Sequence, residues 1–160
     1  MARTLIAGFG NVLRGDDGFG VEVVHRLAEA GVPEGVELLE VGTGGIRLAQ
    51  ELLGGYERLV IVDAMTRGGR PGSLYVLAVE SIDPLTEVDL HMAVPSRALA
   101  LARALGALPA RVFMIGCEPS EVDELTMEMT PAVRDAVEPA LARVREILSA
   151  PAATVSAESR

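Results

Sequence analysis

The chain has a single cysteine, two histidines, no tryptophan and no lysine, and only 3% of its residues are aromatic. One cysteine, Cys117, excludes an internal disulfide and agrees with a reducing compartment. So few aromatics leave little from which to build a base-stacking platform. The formal charge of −9, with arginine as the only basic type besides histidine, offers no basic footprint for a phosphate backbone. The missing lysine reads as compositional bias, since no chemistry visible in the sequence requires it. No apolar run approaches the ~20 residues needed to span a bilayer. The N-terminal run Thr4-Leu5-Ile6-Ala7 is interrupted by Gly8-Phe9-Gly10-Asn11 and has no signal-peptide h-region. Nucleic-acid binding, membrane insertion and a disulfide scaffold are thereby disfavoured, and a soluble cytoplasmic protein is expected.

What is present is apolar and regularly patterned. With 160 residues, 49% of them hydrophobic, the composition suits one domain over residues 1–150, followed by a small polar tail, 151–160, expected to be disordered. Leu5–Gly8 reads as a buried strand, followed by a glycine-rich loop and a helix from about Gly18 to Ala30, with Phe19, Val23, Val24 and Leu27 at helical spacing. Val36–Val41 is a second strand, and Gly42–Gly45 a tight turn. A short helix follows from Ile46 to Leu53, closed by Gly54-Gly55. Arg58–Asp63 is a third strand whose Leu-Val-Ile-Val run suggests burial on both faces. The turn Thr66–Gly72 is too short for a helical crossover, so the fourth strand, Ser73–Val79, should pair antiparallel. Glu80–Leu90 reads as a loop, Pro95 to Gly106 as a helix and Arg111–Gly116 as the last strand. Thr130 then caps a helix with Pro131 at its first position and one apolar stripe, Val133, Val137, Leu141, Val144 and Leu148, with a kink expected at Pro139. This alternation predicts an α/β fold, three-layer α/β/α with a mixed, mostly parallel five-stranded sheet.

In such sheets ligands bind outside the carboxyl ends of the strands. Asp17 follows the first strand and Asp63 ends the third, which puts both at that edge, and His91 lies in the polar loop before the third helix. Two carboxylates and an imidazole form a donor set for a divalent transition metal. Competing readings exist for each. Gly8-Phe9-Gly10 invites a dinucleotide fingerprint, but Leu13 occupies the third glycine position, and Asp16 and Asp17 would oppose a pyrophosphate at the helix start. One aspartate suffices to cap a helix, so Asp16 is the candidate for a purely structural role. Asp63 closes an apolar strand, where a desolvated carboxylate needs a partner: either a cation or loop amides. His25, among Val23, Val24 and Leu27, reads as a structural or surface side chain. Cys117 is disfavoured as a nucleophile because Glu118 opposes its thiolate. Ser96 lacks a glycine elbow. Met65 and Met92 are core filler or an adaptable docking surface.

The stretch Gly8-Phe9-Gly10-Asn11-Val12-Leu13-Arg14-Gly15-Asp16-Asp17-Gly18-Phe19-Gly20 resembles the opening motif of the hydrogenase maturation endopeptidases. The likeness continues through Gly42-Thr43-Gly44-Gly45, Val62-Asp63-Ala64, His91, Ile115-Gly116 and Thr130-Pro131. It implies a phosphorylase/hydrolase-like fold and a protease that removes a short C-terminal peptide from the [NiFe]-hydrogenase large-subunit precursor after nickel insertion. By the same resemblance Asp17, Asp63 and His91 are the catalytic and metal positions, and nickel comes with the substrate and is not held permanently. The alternatives are a noncatalytic nickel-sensing assembly chaperone and a small-molecule metallohydrolase.

Overall fold

A computed structural model of the chain describes residues 3–79, 93–120 and 125–150. Its elements run β1 (Thr4–Phe9), α1 (Phe19–Ala30), β2 (Val36–Gly42), α2 (Ile46–Leu52), β3 (Arg58–Ala64), β4 (Leu74–Val79), α3 (Ala93–Ala104), β5 (Arg111–Cys117) and α4 (Pro131–Ser149). Between β1 and α1, Gly15–Gly18 forms a single 3-10 turn that carries both Asp16 and Asp17.

The sheet order is β2-β1-β3-β5-β4. The first four of these strands pair in parallel, while β4 runs antiparallel to β5, as the short 66–72 turn requires. Because side chains alternate along a strand, the sheet supplies two cores. Leu5, Ala7, Phe9, Leu59, Ile61 and Met114 pack with Leu48, Leu52, Ala98 and Ala102 of α2 and α3. Ile6, Val60, Val62, Phe113 and Ile115 pack on the other face with α1 and α4. Helices on both faces make the three layers. Helix α4 continues through Pro139, and its buried stripe includes Val133, Val137, Leu141 and Val144. Residues 80–92, with the loop read over Glu80–Leu90, and the 151–160 tail lie outside the described residues.

The strand order places a switch in chain direction beside β1. Leaving β1, the chain goes first to β2 on one side and later to β3 on the other, which makes the carboxyl ends of β1 and β3 the switch point at which open α/β sheets bind ligands. Helix α1 starts hard against the ends of β1 and β3. A Cβ on Gly20 would lie 2.1 Å from the Val62 carbonyl oxygen and 2.5 Å from that of Phe9. Only glycine permits this approach.

Candidate active site at the carboxyl edge

The site grows out of the β1 loop. Gly10 has φ +127°, and a Cβ there would meet the Asp17 carbonyl oxygen at 1.8 Å. Its amide donates to the Gly42 carbonyl at 2.8 Å, which ties the loop to the end of β2. Next to it, the Asn11 N–H donates to Asp17 Oδ2 at 2.9 Å, while Asn11 Oδ1 accepts from the Leu13 N–H at 2.9 Å. Asn11 thus folds the turn with its side chain and aims Asp17 with its backbone.

Asp63 arrives from β3, at the register position facing Gly116 of β5. It is only 8% exposed, and its Oδ1 lies 3.7 Å from the Cβ position of Gly10, so the ends of β1 and β3 bring Asp63 to the Asp17 turn. Its carboxylate accepts a hydrogen bond from the Ala64 N–H at 2.8 Å. Burial lifts the Asp63 pKa well above the usual carboxylate range, and the nearby Asp17 charge lifts it further; the Ala64 bond offsets only part of this. A buried carboxylate beside a second negative charge favours a proton or a cation at the pair. Of the three residues singled out from sequence, Asp17 and Asp63 therefore converge; His91 lies outside the described residues. Among the described residues no group of three or more His, Cys, Asp or Glu could hold a metal ion.

Asp16, adjacent to Asp17, does different work. It is fully buried and accepts hydrogen bonds from the Ser120 N–H (2.8 Å), the Thr130 N–H (2.7 Å) and the Thr130 hydroxyl (2.9 Å). The structural role expected for it is present, but its donors come from the segment after β5 and the start of α4, and not from the helix next to it in sequence. Thr130 occupies the N-cap position of α4 without a side-chain bond to that helix, because its hydroxyl is turned to Asp16.

Glu118, read from sequence only as the charge that opposes a Cys117 thiolate, has a role of its own. Buried at the end of β5, its Oε1 accepts from the Arg67 N–H (2.8 Å), the Gly69 N–H (3.0 Å) and the Tyr75 hydroxyl (2.5 Å). Burial alone would raise its pKa, but these hydrogen bonds prevail and hold it below the usual carboxylate range. It pins the loop that continues from Asp63. The available signal was a glutamate directly after a buried strand, beside the glycine pair Gly68-Gly69.

Cys117 is fully buried, and burial with the charges of Asp16 and Glu118 pushes its thiol up to about 12. That removes it as a thiolate nucleophile. His25 is half exposed and bonds Glu40 through Nε2 at 2.7 Å, in keeping with a surface role. Met65 is buried against Gly116, which marks it as core.

The architecture is that of an α/β/α protein with an acidic pair at the switch point of its sheet. Comparison with known proteins makes the class specific. The family model described as hydrogenase maturation protease matches residues 21–147. The hydrogenase expression/formation protein HupD of Rhodobacter capsulatus is 35% identical over 91% of this chain and 71% of its own length. The hydrogenase 2 maturation protease of Escherichia coli is 30% identical over 89% of this chain and 88% of its own. The solved structure of the hydrogenase maturating endopeptidase HybD from E. coli superposes with a TM-score of 0.80 at 30% identity, covering 91% of each chain. The chain belongs to the hydrogenase maturation protease family, whose members are peptide-bond hydrolases.

Proposed function

We propose that this protein is the endopeptidase that removes the C-terminal peptide from a [NiFe]-hydrogenase large-subunit precursor after nickel has been inserted, working in the cytoplasm. Asp17, Asp63 and His91 read the nickel, which enters as part of the substrate and leaves with it. The observation that supports this most directly is the Asp63 carboxylate: buried, raised in pKa by desolvation and by Asp17, and bonded by the Ala64 N–H, which offsets only part of that shift. A divalent cation brought by the substrate relieves that repulsion, so the pair favours a metal-loaded precursor over an empty one. Carboxylate oxygens with one imidazole suit nickel. Three protein donors leave coordination positions for the substrate's own ligands, and a metal so held can polarise the scissile carbonyl or activate water.

The test is incubation with nickel-loaded and nickel-free precursor, scored by the mass of the large subunit. Loss of the C-terminal peptide from the loaded form alone supports the proposal. Cleavage of both forms removes nickel recognition, and cleavage of neither removes the protease assignment. Alanine at Asp17, Asp63 or His91 should abolish processing while the protein stays folded.

A further inference from the structure

Next to the Asp17 turn the protein exposes a group of large apolar side chains that the core does not use: Val12 (38%), Leu13 (54%), Leu125 (78%) and Met127 (74%). They come from distant parts of the chain but share one backbone framework. The Thr126 N–H donates to the Leu13 carbonyl at 2.9 Å, and the Gly15 N–H donates to the Thr126 carbonyl at 2.7 Å, a short parallel bridge between the two segments. Thr130, four residues on, is held by Asp16. The apolar residues therefore stand on a backbone fixed from both sides, which lowers the ordering cost of anything that docks on them.

Continuity with the catalytic turn indicates what covers them. Leu13 bonds Asn11, and Asn11 bonds Asp17. A chain that brings a peptide bond to Asp17 and Asp63 must pass beside this rim. Clustered exposed hydrophobes mark interaction sites, and here the cluster borders the reacting carboxylates. We propose that Val12, Leu13, Leu125 and Met127 form the docking surface for the large-subunit precursor, receiving apolar residues that flank its cleaved bond. This inference rests on the protease reading above.

The double variant Leu13→Asp/Met127→Asp should raise the KM for nickel-loaded precursor by about tenfold or more, with the loss falling on KM more than on kcat. The milder Leu13→Asn/Met127→Gln should shift KM in the same direction and serves if the aspartates unfold the protein. The control is Leu53→Asp/Leu105→Asp, equally apolar and exposed (59% and 50%) but following α2 and α3 at the opposite end of the sheet; it should leave KM within about twofold. An unchanged KM in both rim variants, with the unmodified protein cleaving normally, overturns the docking surface and leaves the protease reading intact. If the unmodified protein cleaves nothing, binding of the precursor decides: loss of binding in the rim variants upholds the surface while the protease reading falls. Self-association that the rim variants abolish, with KM unmoved, assigns the rim to a second copy of this chain and also overturns the proposal.

Discussion

Four carboxylates stand at the carboxyl edge of one sheet, and they divide into two pairs. Asp16 and Glu118 are buried, and each gathers three or more hydrogen bonds from distant backbone amides and a hydroxyl. Among the described residues, Asp17 accepts from the Asn11 N–H and Asp63 from the Ala64 N–H. Burial does not draw the line, since Asp63 is almost as enclosed as Glu118 while Asp17 is half-buried; among the described residues, donor supply is what separates the pairs. A carboxylate with its lone pairs filled holds loops in place, whereas one left short of donors beside a second negative charge is available to a proton or a cation. The shift of Asp63 upward and of Glu118 downward is that contrast in titration.

The contrast can be broken most strongly at Asp16. Alanine there leaves the Thr130 and Ser120 donors without an acceptor and should cost about 3 kcal/mol of stability, read by denaturant unfolding. A loss below about 1 kcal/mol would show that Asp16 is not the tie between the Asp17 turn and α4.

Glu118→Gln should cost about 2 kcal/mol, because an amide is a weaker acceptor for the 67–69 amides and the Tyr75 hydroxyl. It also makes a pH prediction. Since folding lowers the Glu118 pKa below its ordinary value of 4.5, the stability it contributes is present above that value and lost as pH falls through the lower folded value. The Gln variant should therefore flatten the acid limb of the stability profile; an unchanged limb would break the assignment.

Asp63→Asn should act in the opposite sense. Its folded pKa is raised above the ordinary 3.8, so the ionised group opposes folding once the pH exceeds that ordinary value, increasingly so up to the folded pKa and constantly beyond it. Removing the charge should raise stability at neutral pH by on the order of 1 kcal/mol while abolishing processing, a trade of stability for function measurable as a higher Tm in an inactive protein. A lower Tm would place Asp63 with the structural carboxylates. The smallest effect is expected at His25→Ala: losing its exposed contact with Glu40 should change stability by less than about 0.5 kcal/mol and leave processing unaltered.

Much of the architecture was legible from local pattern. The apolar run Leu59–Val62 announced a central parallel strand, and the short turn at residues 66–72 announced an antiparallel β4; both relations hold in the sheet. Asp17 and Asp63 could be placed at the carboxyl edge because one follows an apolar strand and the other ends one, and a strand's direction fixes where its loop emerges. The 3-10 turn ahead of α1 escaped notice, because a single turn leaves no periodic signal.

The amino-acid order by itself determined the strands, the helices and the edge at which the acids gather, since hydrophobic period and glycine placement act over a few residues. Which acid is satisfied was decided only by tertiary structure. The donors to Asp16 lie 104 and 114 positions along the chain, and those to Glu118 lie between 43 and 51 positions away. No local spacing encodes contacts of that range; they exist because β1, β3 and β5 end side by side and their loops must share the same small volume.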